Sequence, residues 1–251
     1  MYKALYLTSS PTGNYREGPP TDFIGLNPAN DFVKELKKDI RVNSRCLYVT
    51  ATPDDIEASE EAARFFTKAF RDTGFMIMDF ESCDNSNVNL KLDHIHEYQL
   101  IIFGGGHVPT QNRFLIESGI PEKLKDFFGV IIGISAGSMN SAELVYIQPE
   151  EAGESINPNF IRYSEGLGLT DINLIPHYQA VKNDILDGKR LYEDITYQDS
   201  IGHEFYCLCD SSYLLQRKGI KEIRGEAYLI KDGSITKINE KEEVYSFKVS
   251  I

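Results

Sequence analysis

Basic residues are scarce in this chain: 26 Lys and Arg stand against 38 Asp and Glu, a formal net charge of −12. Nucleic acids and anionic membrane surfaces recruit clustered Lys and Arg, so this balance argues against either as a partner. Long hydrophobic runs are missing as well. No apolar stretch approaches the roughly 20 residues that a bilayer-spanning helix needs. The opening MYKALYLTSS lacks the basic-then-apolar pattern of a secretory leader, so a cytoplasmic location is expected. Cysteine is sparse and never paired as C-x-x-C: Cys46, Cys83, Cys207 and Cys209 fall on or near apparent strands, where buried reduced thiols are the expected state. No His/Cys/Asp/Glu grouping has metal-ligand spacing, and neither G-x-G-x-x-G nor a P-loop is present. The expectation is therefore no metal and no cofactor. Internal repeats and low-complexity tracts are absent too.

What remains is an ordinary globular composition, 41% hydrophobic and 25% charged over 251 residues, long enough to bury a substantial core. Apolar runs at 4–8, 46–50, 75–80, 100–106 and 130–135 read as strands. They are apolar on both faces, as in a parallel sheet covered by helices on each side. Helical spacing recurs between them at 28–40, 54–74, 111–119 and 120–129, the second closing at Gly74. After residue 200 shorter strands joined by turns follow, at 204–210, 211–217, 225–233 and 234–240. The pattern predicts one α/β domain over 1–251. It is a three-layer, doubly wound, mostly parallel sheet with an antiparallel β-rich C-terminal extension. The polar stretch 148–166 is the longest irregular segment, and such loops often carry function.

Ligands of doubly wound sheets bind beyond the carboxyl ends of the strands, and two glycine-bearing strand ends stand out there. Gly104-Gly105-Gly106 follows LIIF, and GISAG (133–137) follows VII. The second matches G-x-S-x-G, in which a serine sits at a cramped strand-to-helix turn whose neighbours must be small. It reads either as a bare tight turn or as a device that presents Ser135, with SMNSAELVY continuing as helix. The Ala136 amide would then face a developing oxyanion. A serine needs a base. Of five histidines, His177 in NLIPHYQ has the best context, His107 lines the same mouth after the glycines, His94 and His96 read as surface residues, and His203 has no supporting context. A carboxylate should orient the imidazole; Glu150, Glu151, Glu154 and Glu165 lie between serine and histidine, and the residues alone do not choose among them.

Taken together, GGG at the fourth strand, GISAG at the fifth, a later PHY and the β-rich tail resemble the S51 serine peptidases, the family of aspartyl dipeptidases and cyanophycinases. The resemblance spans most of the chain. It implies a fold similar to class I glutamine amidotransferases and a Ser–His–Asp/Glu triad without metal or organic cofactor. It puts the nucleophile on Ser135, the base on His177 and the triad acid, by gapless alignment, on Glu150. The oxyanion donors fall on Gly105, Gly106 and Ala136. Arg190, aligned with a gap, would hold an acidic substrate side chain. The chain departs from the family in His107 and Pro109 after the glycines, and in having no arginine just after the nucleophile. The expected function is hydrolysis of small peptides, with Asp-X dipeptides as one class, by a monomer or homodimer. The alternatives are an amidotransferase-like hydrolase or esterase, or an inactive binding protein on the same scaffold.

Overall fold

The computed structural model of the protein describes residues 2–13 and 25–248. Five parallel strands form its centre: β1 (Ala4–Thr8), β2 (Ser44–Val49), β3 (Ile77–Cys83), β4 (Leu100–Phe103) and β5 (Val130–Ile134). Helices α1 (Phe32–Asp39), α2 (Ile56–Asp72), α3 (Val88–Asp93) and α4 (Val108–Glu117) lie between them in sequence. The central order is β1-β5-β4-β2-β3. Side chains of successive strand residues point to opposite faces, and in β1, β2, β4 and β5 both faces are largely buried, whereas the edge strand β3 exposes Met78 and Asp79. Leu5, Leu7, Leu47, Val49, Ile101 and Phe103 pack with Leu92 of α3 and Phe114 and Leu115 of α4. On the other face Tyr6, Cys46, Tyr48, Ile102 and Ile132 pack with Phe32 and Leu36 of α1 and Phe66 and Phe70 of α2. Each such aliphatic or aromatic side chain contributes about 1.5–3 kcal/mol of transfer free energy. This two-sided burial explains why β1, β4 and β5 carry no polar alternation.

α2 begins where expected. The Asp55 carboxylate accepts the Ala58 N–H at 3.0 Å, and Gly74, at φ 86°, takes the left-handed turn just after the helix. All four cysteines are free and buried; burial pushes the Cys46 and Cys83 thiols up to about 12.

The C-terminal strands divide between two sheets. Tyr213–Arg217 pairs antiparallel with β1, then Ile220–Arg224 and Val244–Ser246 extend that edge to give eight strands. The others form a second sheet in the order Ser234–Asn239, Ala227–Lys231, Glu204–Leu208, Asn173–Ile175. Its last pair is parallel, with Phe205 opposite Asn173 and Cys207 opposite Ile175, an element the antiparallel expectation did not contain. SMNSAELVY is not a continuous helix either. The helix covers Ala136–Met139, and Leu144–Tyr146 is a strand paired with Tyr163–Glu165. Asn140 ends the helix because its buried side chain is committed elsewhere. It donates to Val108 O and Gln111 Oε1 and accepts from Asn112 Nδ2. Among the described residues no helix is long and apolar enough to cross a membrane.

Candidate active site

Three elements of the central sheet end side by side: Ser9 follows β1, Gly104–Gly106 follow β4 and Ser135 follows β5. Ser135 has φ 49° and ψ −110°, a strained conformation for a residue with a Cβ, costing on the order of 1–3 kcal/mol. Its surroundings hold it there. The Ser135 N–H donates to Thr8 O at 3.0 Å, and its carbonyl accepts from the Ser138 and Met139 amides. The flanking glycines are steric necessities: a Cβ on Gly133 would stand 2.8 Å from Leu7 Cδ2 and 2.9 Å from Gly137 O, and one on Gly137 would overlap the Phe103 carbonyl. The turn is cramped, and it lifts the serine hydroxyl out of it.

That hydroxyl meets His177: Ser135 Oγ lies 2.9 Å from Nε2. His177 sits just beyond strand Asn173–Ile175, is 8% exposed, and itself adopts a left-handed φ of 60°. Its Nδ1 lies 2.7 Å from Asp210 Oδ1, whose side chain is 1% exposed. Asp210 follows strand Glu204–Leu208, the parallel neighbour of Asn173–Ile175, so two adjacent strand ends bring imidazole and carboxylate together. Gln179 fixes the acid from the far side, its Nε2 donating to Asp210 Oδ2 at 2.7 Å and its Oε1 accepting the Asp210 N–H at 2.9 Å. Ser9, fully buried, donates to Asp210 Oδ1 at 2.7 Å and accepts the His177 N–H at 2.8 Å.

The geometry therefore does not join Glu150 to His177. Glu150 Oε1 accepts the Val108 N–H at 3.0 Å at the start of α4, and burial raises its carboxyl above the ordinary value. A gapless count from the serine reaches the loop that packs on α4, whereas the imidazole's partner comes from a later strand. Arg190 is also elsewhere. Its side chain is 61% exposed, its guanidinium is held by Asp194 at 2.6 Å, and it is not among the residues lining the cleft. His107 does line the cleft, with Nδ1 on Thr110 Oγ1 at 2.8 Å and Nε2 on Glu154 Oε1 at 2.9 Å. His94 is exposed beside Glu97, and His203 stacks on Tyr163.

Sequence reasoning missed Asp210, Gln179 and Ser9. A signal for Asp210 was present, since an aspartate closing the apolar run FYCLC stands in the position that singled out Ser135 and His177.

The glycine turn lies directly against the serine; a Cβ on Gly105 would be 3.3 Å from Ser135 Cβ. Gly104 O accepts from Gly137 N at 3.1 Å and from Gln111 Nε2 at 2.8 Å. In a trans peptide the next N–H points the opposite way, which turns the Gly105 amide away from those donors. Among the described residues the amides of Gly105, Gly106 and Ala136 have no protein acceptor. The cleft over this centre has a volume of about 550 Å³. Val108 and Met139 line one part; Val181, Ile185, Leu186 and Leu191 line another; Gln148, Glu150, Glu151 and Asp184 supply polar groups. At the mouth, ligand atoms of His107, Glu151 and Glu154 lie within 4.8 Å of one another, the one grouping among the described residues able to hold a cation.

The model of peptidase family S51 matches residues 25–219. No curated protein matches significantly. Among solved structures, a peptidase from an acI-B1 Actinobacterium is similar with a TM-score of 0.67 at 17% identity, covering 98% of this chain and 97% of that one. A putative peptidase E protein from Listeria monocytogenes EGD-e is similar with a TM-score of 0.55 at 16% identity, covering 94% and 99%. At these identities the likeness concerns the fold.

Proposed function

The chain belongs to peptidase family S51, and from that premise we propose that it is a serine peptidase of small peptides whose triad is Ser135, His177 and Asp210. The observation that carries this reading is the continuous line of contacts from Ser135 Oγ to His177 Nε2 at 2.9 Å and from Nδ1 to Asp210 Oδ1 at 2.7 Å. Both distances are within proton-transfer range. An acceptor-only carboxylate at Nδ1 keeps the proton there and leaves Nε2 free to take the Ser135 proton. As Oγ adds to the scissile carbonyl, negative charge develops on its oxygen. The amides of Ala136 and Gly105, which have no acceptor among the described residues, supply donors for it, with Gly106 adjoining. His177 then protonates the leaving amine, and water repeats the cycle on the acyl-enzyme. No step calls for a metal.

The cleft volume suits a ligand of two or three residues. Arg190 gives no support for an Asp-X preference, because its guanidinium is engaged by Asp194 outside the cleft. The charged side chains that do line it, apart from His107 and His177, are Glu150, Glu151 and Asp184, so substrates without an acidic side chain suit it better.

A dipeptide-library hydrolysis screen tests the proposal. Wild-type protein should release amino acids from a subset of dipeptides, and Ser135→Ala should release none above background. Equal turnover by the two proteins would refute the assignment.

A further inference from the structure

Ser9 receives no role in the bond-breaking chemistry, yet it is fully buried against both partners of the Ser135 relay. Resting on the triad reading above, we propose that Ser9 is a positioning residue: it holds the carboxylate of Asp210 and the backbone of His177 in the alignment in which Asp210 keeps the proton on Nδ1.

The protons available around Ser9 Oγ set the pattern. Among the described residues Ser9 Oγ has three polar neighbours: His177 N at 2.8 Å, Asp210 Oδ1 at 2.7 Å and His177 Nδ1 at 3.2 Å. The backbone N–H can only donate, so it occupies one lone pair of the hydroxyl. Ionised Asp210 can only accept, so the single hydroxyl proton goes to Oδ1 at the shorter distance. Toward Nδ1 the oxygen therefore presents its remaining lone pair. An unprotonated Nδ1 would face lone pairs from both Ser9 and Asp210, and a protonated one faces two acceptors. The tautomer with the proton on Nδ1 wins, and Nε2 is left as the acceptor that Ser135 needs. Ser9 also captures the N–H of a residue in the left-handed region, φ 60° and ψ 22°, and so ties the histidine backbone to the end of β1. Because Ser135 N–H is bonded to Thr8 O of the same strand end, β1 sets the spacing between nucleophile and base.

The test uses Ser9→Ala, Ser9→Cys and Ser9→Thr in the full chain. Two quantities are measured: the second-order rate of Ser135 labelling by a fluorophosphonate, and the tautomer of His177 from long-range ¹H–¹⁵N correlations. Cysteine fills nearly the same space without a strong donor, whereas threonine keeps the hydroxyl. The Ala and Cys variants should label about 10- to 100-fold more slowly and show a mixture of His177 tautomers, while Thr recovers the wild-type rate and the single tautomer. If Ala fails to fold, the Cys variant carries the comparison. A Cys variant that labels at the wild-type rate with one tautomer would reduce Ser9 to packing and overturn the proposal. Neither readout requires peptide turnover. Loss of the peptidase reading would instead show as wild-type protein that labels at Ser135 yet cleaves no peptide.

Discussion

Replacing Asp210 by Asn separates the relay seen in the structure from the one the glutamate loop would have formed. The orientation of the new amide is set by Gln179, whose Oε1 is occupied by the residue 210 N–H, so that Nε2 must donate to the side chain beyond it. The asparagine oxygen is drawn to that donor. Its NH₂ then turns toward His177 Nδ1 and Ser9 Oγ, where the native Oδ1 accepts at 2.7 Å from each. A donor at Nδ1 favours the tautomer protonated on Nε2, and that nitrogen can no longer accept the Ser135 proton. For a triad aspartate changed in this way the expected loss in kcat is about 10⁴-fold, or about 5.4 kcal/mol of barrier at 1.36 kcal/mol per decade. KM should change little, because the fold and cleft lining are kept. Glu150→Gln, in contrast, should stay within about tenfold of wild type, since its Oε1 serves the Val108 amide and an amide oxygen can replace it. Steady-state kinetics on one good dipeptide decide the matter. Full activity of the Asp210 variant, or collapse of the Glu150 variant with Asp210 activity intact, would refute the relay.

Gly137→Ala should destabilise the protein by about 2–3 kcal/mol and abolish activity, because the added carbon meets the Phe103 backbone rather than a movable side chain; urea unfolding would show it, and an unchanged midpoint would contradict the packing. Arg190→Ala should leave the ratio of kcat/KM for Asp-X and Ala-X dipeptides unchanged, and a selective loss on Asp-X would return the arginine to the site. Glu81 supplies a pH test. Burial alone would raise its carboxyl, but bonds from Arg45, Lys91 and Tyr98 outweigh that and hold it at about 2. In the unfolded chain it returns to the ordinary value of 4.5, so its contribution is complete above that pH and disappears as the pH falls toward 2. After discounting for partial exposure this amounts to about 1 kcal/mol. Glu81→Gln should therefore lower stability at pH 7 and approach wild type near pH 2.5, and a constant difference across that range would disprove the pairing.

The central strands were legible because Leu5 and Tyr6, or Ile101 and Ile102, face opposite cores that both exclude water. Ser135 was legible for a local reason as well, since only glycine fits at 133 and 137. Contacts that depend on strand register were not. Asp210 meets His177 because Cys207 lies opposite Ile175 in a parallel pair, and nothing in either segment encodes that partnership. Ser9 joins the site only through the end of β1, far away in the chain. The helix expected after Ser135 failed where Asn140 found buried partners on α4 that outweigh local periodicity. Arg190 pairs with Asp194 four residues on, an exposed local contact outside the cleft.

Incubation with a fluorophosphonate followed by peptide mass spectrometry tests most directly whether this chain carries an activated serine. One adduct is expected, on the peptide containing Ser135, forming quickly in wild type and absent in His177→Ala. An unlabelled Ser135, or labelling that proceeds equally without the imidazole, would contradict it.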